Sequence, residues 1–191
     1  MSEVEKKLSY IFGLTNDWLR FAEAKNGALF AFSSASAMAV LSLTPYSTSG
    51  LSNGGALFLY SSVLLMWSAL LCLKSFLPQT NPKKVLSDRK CDKPSVEDNL
   101  YFFGHIQKYS PNGLAQAIAE RYCLQADYTP QDNKSDVDLA AQAIINARIA
   151  SGKYSLFVHA TRRALLGILA AMMGIMLPYI IAVIRILIKL V

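Results

Sequence analysis

Cysteine and histidine are scarce in this chain, at three and two of 191 residues. Cys72, Cys91 and Cys123 have no close spacing, which argues against a disulfide framework and for reduced thiols. His105 and His159 stand far apart, so no metal-ligand pair is formed and no metal site is expected. There is no phosphate-binding loop and no nucleophile elbow, and the long apolar runs hold no acid of the kind that transporters keep inside a membrane. With no catalytic residues and no cofactor motif, the chain reads as non-enzymatic. Charge is sparse as well: 17% of residues are charged against 53% hydrophobic. Mean hydropathy is positive. That balance fits a small membrane protein better than a soluble domain.

What the chain does have is three apolar runs. Residues 26–44 and 51–73 carry no charge, and the connector from Pro45 to Gly50 is uncharged too. A third run, Ala164–Ile184, follows a long mixed segment. A hydrocarbon core about 30 Å thick needs roughly 20 apolar residues of helix, so each run reads as a span. The alternative of a signal peptide at the first run fails, because the residues before it carry no net positive charge and the run continues past its A-x-A triplets. The expected fold is an all-α membrane protein: an N-terminal cytoplasmic helix (1–25), a two-helix transmembrane hairpin (26–77), a cytoplasmic helical module (78–163) and a C-terminal transmembrane helix (164–191).

The formal net charge is +6. Segment 78–163 holds twelve Lys/Arg against nine Asp/Glu, and residues 1–25 hold four of each sign. Basic residues near span ends favour the cytoplasmic side, so the N-terminus and the 78–163 module are expected in the cytoplasm and the 45–50 loop outside. Arg185 and Lys189 then fall at the far end of the third span, where they snorkel to headgroups or the helix tilts.

Residues 3–24 predict a helix with Leu8, Ile11, Phe12, Leu14, Trp18 and Phe21 as its apolar set, running into the first span or breaking near Gly13 or Asn16. Ser95 to Asp98 resembles a capping box opening a short helix through Tyr109. Ser110-Pro111 opens another, to about Ala126. Ser135, with Asp136 and Asp138 in the first turn, starts a last helix that continues from the module into the membrane. Its apolar stripe in the module is Ile145, Ile149, Leu156 and Ala160.

Small residues recur at four-residue spacing at Gly27, Ala31, Ala35 and Ala39, and again at Ala170 and Gly174. Such ridges let helices approach closely in lipid; they pack within the monomer or mediate oligomerisation. Ser61, Ser68, Cys72 and Ser75 form a stripe on the second span, and its serines pack inward or face a pore in an assembly. Glu23 and Lys25 sit where the first helix enters the membrane, as interfacial anchors or as contacts to the module. Tyr101, Phe103 and His105 belong to an aromatic cluster that is either the core of the module or a face on which a base stacks. Asn146, Arg148, Lys153 and Tyr154 lie on the last helix, where the cations suit a compact phosphate or form a solvated basic face.

Taken in order, Glu23-Ala24-Lys25, a hydrophobic pair, Tyr101–Gly104 and Asn146–Tyr154 (N-x-x-I-A-x-x-K-Y) resemble the membrane effectors of Pycsar anti-phage systems, with Glu23 where that family's first motif has aspartate. The resemblance covers nearly the whole chain. It implies an inner-membrane effector that responds to cyclic CMP or cyclic UMP made by a partner pyrimidine nucleotide cyclase, and that oligomerises and disrupts the membrane to stop growth. The partners it implies are the lipid bilayer, other copies of the chain and the cyclase through its product, with no nucleic acid. The competing expectation is a membrane scaffold whose module binds another protein.

Overall fold

A computed structural model describes residues 1–43, 53–87 and 93–190. The 45–50 connector and Cys91 lie outside the described residues. The described residues form six α-helices and one 3-10 turn, with no strand among them: α1 (Glu3–Ser42), α2 (Asn53–Ser75), α3 (Pro82–Ser87), α4 (Phe103–Ile106), α5 (Pro111–Tyr122), the 3-10 turn Pro130–Asp132, and α6 (Lys134–Leu190). The protein is all-α.

Helix α1 starts with a reciprocal box: Glu5 N–H donates to Ser2 Oγ at 2.9 Å and Ser2 N–H to Glu5 Oε2 at 3.2 Å. Two of the orphan donors of the first turn are satisfied this way. No proline interrupts the next 40 residues, and the helix passes Gly13 and Asn16 unbroken. Helix α6 begins one residue before Ser135 and runs for 57 residues with Pro178 inside it. Its first turn is fixed by Asp136, buried and accepting from the Tyr128 hydroxyl at 3.0 Å.

The chain divides into two compact units, one of residues 1–24 and 77–155 and the other of residues 25–76 and 156–191. Helices α1 and α6 contribute residues to both. In the first unit the core joins Val4, Leu8 and Ile11 of α1 to Leu114, Ala115 and Ile118 of α5 and to Ala140, Ala143, Ile144 and Ala147 of α6. In this cluster α6 contributes mostly alanines, because small side chains let α1 and α5 approach its backbone; of the expected stripe, Ile145 and Ala160 are buried outside the cluster, and Ile149 and Leu156 are half-buried.

Helix α5 has the expected cap, with Gly113 N–H donating to Ser110 Oγ at 3.1 Å, and it ends at Tyr122, four residues short of Ala126. Leu124, at φ 54°, takes the left-handed conformation that turns the chain away. The helix expected through Tyr109 is not formed. Ser95 to Asp98 closes a turn instead, with Ser95 N–H donating to Asp98 Oδ2 at 2.8 Å, and only Phe103–Ile106 coils into a helix. Asp98 uses both oxygens, Oδ2 on the Ser95 N–H and Oδ1 on the Lys108 ammonium at 2.7 Å, so the box closes but no helix continues from it.

In the second unit the core is Ala37 of α1, Leu65 of α2 and Ala164 of α6. Ser33 and Ser68 hydroxyls bond at 3.0 Å, and the Phe76 ring approaches Gly27, so α1 and α2 run antiparallel as a hairpin. Ser61 Oγ donates to the Gly167 carbonyl at 2.6 Å. A Cβ on Gly167 would lie 2.9 Å from Leu65 Cγ, and one on Gly174 2.9 Å from Phe58 Cε1. Ala170 and Gly174 are buried here, whereas Ala31, Ala35 and Ala39 are exposed and Gly27 is half-buried. The serine stripe of α2 is buried inside the unit. Among the described residues, α2 over Gly54–Ser75 and α6 are the helices long and apolar enough to cross a membrane. The first run is helical from Asn26 to Ser42, and its remainder from Thr44 lies outside the described residues.

Candidate functional site

The aromatic-Phe-Gly motif splits in two. Tyr101 stacks on Tyr122 at 5.2 Å between centroids, with Tyr10 at its edge. Phe103 instead stacks on Tyr154 of α6 at 5.4 Å, and Trp18 of α1 packs against both rings at 5.4 and 6.4 Å. Phe102 leans on Phe103 at 4.8 Å and meets the His105 ring edge-on at 5.3 Å. Gly104 makes this possible: a Cβ there would sit 2.5 Å from Phe102 Cε1. The result is a platform of Trp18, Phe102, Phe103 and Tyr154 in which Phe102 and Trp18 remain 40% and 36% exposed.

Beside the platform, polar contacts among the described residues tie α1 to α6. Asn146 Nδ2 donates to Asn16 Oδ1 at 2.7 Å, the Tyr154 hydroxyl to the Trp18 carbonyl at 3.5 Å, and Lys153 Nζ lies 3.2 Å from Glu23 Oε1. Lys153 is 9% exposed, while the Glu23 carboxylate is half in solvent. The buried ammonium is thus paired with a carboxylate that reaches solvent. Lys25, in the second unit, lies with its ammonium 5.7 Å over the Phe157 ring.

The remaining expected residues are committed to the backbone. His105 Nδ1 accepts from the Asn99 N–H at 2.9 Å. Arg148 donates to the carbonyls of Val85 (2.9 Å), Leu86 (2.7 Å), Gln107 (3.0 Å) and, more weakly, Tyr109 (3.4 Å). It thereby gathers the loose carbonyls at the end of α3 and just past α4. Nearby, Asp98 is 8% exposed. Burial alone would raise its pKa, but the hydrogen bonds from Lys108 and the Ser95 N–H, with the Lys108 charge, outweigh that and hold it below the usual aspartate value.

Sequence reasoning missed Trp18 and Asn16 as members of this site, and Phe102 as its exposed ring. Asn16 and Trp18 find partners more than a hundred positions away on α6, Asn146 and Tyr154, and no local spacing announces such pairings; Phe102 sits beside Phe103 and His105, where only the fold decides which ring stays exposed. Two open pockets of about 510 and 400 Å³ lie elsewhere, one around Tyr128 and Asn133 and one around Pro78 and Lys84, and contain none of the platform residues. No group of three or more potential metal ligands occurs among the described residues.

An all-helical chain with two membrane-length apolar helices and an aromatic-cationic site on its remaining part defines the class. The chain belongs to the family of the Pycsar effector protein domain, whose model matches residues 7–180. It is 29% identical over 146 residues to the Pycsar effector protein RsPycTM of a Rhizobium species, covering 74% of this chain and 77% of that one. No solved structure matches it. It is thus a membrane-associated effector of Pycsar anti-phage defence.

Proposed function

We propose that the chain is activated by a cyclic pyrimidine mononucleotide, cyclic CMP or cyclic UMP, and acts by oligomerising in the bacterial inner membrane and breaking its integrity. The observation that carries this reading is the aromatic platform beside the Lys153–Glu23 pair. An exposed π-face takes a base by stacking, a contribution of roughly 1–3 kcal/mol. The cyclic phosphate, a compact monoanion, competes with Glu23 for the Lys153 ammonium. Arg148 is occupied by carbonyls, so the phosphate's charge is met by Lys153.

Displacing Glu23 removes one of the pairings that tie α1 to α6 in the first unit. Ligand binding then favours whichever state has that pairing open, and a differential affinity of about 5.5 kcal/mol would carry a population from 1:99 to 99:1. The exposed Ala31, Ala35 and Ala39 offer a smooth face for a second copy of the chain. In this reading the N-terminus and the first unit face the cytoplasm, where a cyclase supplies the nucleotide.

The test is titration calorimetry of the full chain in detergent with cyclic CMP and cyclic UMP, together with dye release from vesicles. One nucleotide is expected to bind and trigger release, and Lys153→Ala is expected to weaken binding at least tenfold, about 1.4 kcal/mol. Absence of both heat and leakage with either nucleotide overturns the reading.

A further inference from the structure

In the second unit the packing fixes which level of α2 faces which level of α6. Gly54 and Phe58 meet Gly174, Ser61 meets Gly167, and Trp67 meets Arg163, whose guanidinium carbon lies 5.9 Å from the indole centroid. Arg163 also turns back along its helix to donate to the His159 carbonyl at 3.0 Å, and Arg162 and His159 beside it are exposed. A cationic band with an exposed tryptophan therefore crosses the unit well inside the length of α2. Trp67 lies eight residues, about 12 Å, before the end of that helix at Ser75.

Two placements in a bilayer compete. One is centred on Gly54–Ser75 of α2; it immerses the exposed Leu70, Leu73 and Phe76, but carries Arg162 and Arg163 toward the middle of the hydrocarbon, among the costliest sites for a guanidinium. The other puts the boundary at Trp67 and Arg163. From there the uncharged stretch Ala164–Ile184 of α6 spans 21 residues, about 32 Å, and ends at Arg185 and Lys189. That length matches the hydrocarbon core, and both ends then carry basic residues. Tryptophan prefers the headgroup level, and arginine reaches lipid phosphate with paired hydrogen bonds. Arg185, which looks misplaced from the apolar runs alone, becomes the far-side counterpart of Arg163.

We infer that the bilayer boundary crosses the second unit at Trp67 and Arg163, where Arg162 and Arg163 form a site for the phosphate of a lipid headgroup. The inference rests on reading α2 and α6 as membrane helices.

The test is depth-dependent quenching of Trp67 fluorescence in vesicles of phosphatidylglycerol and phosphatidylcholine, brominated either near the headgroup or deep in the acyl chain. Trp18→Phe isolates the Trp67 signal; should that variant fold poorly, the difference between the native chain and Trp67→Phe gives it instead. The shallow bromine is expected to quench Trp67 at least about twofold more than the deep one. In Arg162→Leu/Arg163→Leu the ratio is expected to move toward the deep quencher. Stronger deep quenching in the native chain, or a ratio unmoved by the arginine changes, overturns the inference. Absence of quenching at any depth overturns it together with the membrane reading, which separates the two failures.

Discussion

Arg148 permits a sharp test of whether a cation on α6 serves the fold or a ligand. Its guanidinium holds three carbonyls at 2.7–3.0 Å and a fourth at 3.4 Å. Hydrogen bonds to a charged donor contribute about 1.5–3 kcal/mol each, with the lower end suited to a half-buried group whose acceptors regain water when it is removed. Three good bonds at the low end, less that rehydration, give about 3 kcal/mol for Arg148→Met. That is a large fraction of the 5–15 kcal/mol that typically holds a domain together. Arg148→Lys keeps one bond of the fork and is expected to lose about 2 kcal/mol.

The assay is urea unfolding of the full chain in mild detergent, followed through Trp18, which packs on Phe103 and Tyr154. Both variants should unfold at lower urea, Met before Lys. The reasoning is refuted if both unfold at the native midpoint while cyclic nucleotide binding disappears, since Arg148 would then be a phosphate ligand and not the clasp of α3.

Two further outcomes follow from the packing. Because the folded-state pKa of Asp98 is depressed, its contribution to stability is complete above the ordinary carboxylate value near 4. It is lost as pH falls through the lower folded value. Urea midpoints measured between about pH 6 and 2 should fall less steeply for Asp98→Asn than for the native chain, and equal slopes would count against the Lys108 pairing. In the second unit, Gly167→Ala puts a Cβ 2.9 Å from Leu65 Cγ and 3.2 Å from the Ser61 carbonyl. It should cost about 1–3 kcal/mol of packing in SDS unfolding, whereas Gly152→Ala, with nothing within 4 Å, should gain up to about 1 kcal/mol of helix propensity; the reverse order would show that the α2–α6 contact has been misplaced.

The sequence by itself determined the elements that depend on local chemistry. Uninterrupted helical stretches without proline gave α1 its length, Ser110-Pro111 gave the cap of α5, and the apolar runs marked α2 and α6 as membrane-length. Local chemistry misled at Ser95–Asp98, where a capping-box pattern closes a turn, Asp98 holding the Ser95 N–H and Lys108 together, and no helix continues through Tyr109. It was also silent on the site. The motif around Phe103 and the one around Tyr154 were visible as separate strings, but the ring that joins them, Trp18, belongs to a different helix. Which cation is tied to backbone carbonyls was equally hidden, since Arg148 and Lys153 look alike on paper. Tertiary structure alone decided that Arg148 is held by the carbonyls of α3 and the α4 turn while Lys153 keeps an exposed carboxylate. It also decided that Ala31, Ala35 and Ala39 face outward while Gly167 and Gly174 seat α2. Helical periodicity defines every face of a helix, but which face is covered depends on close-packed neighbours far away in the chain, and those are set only when the whole core has formed.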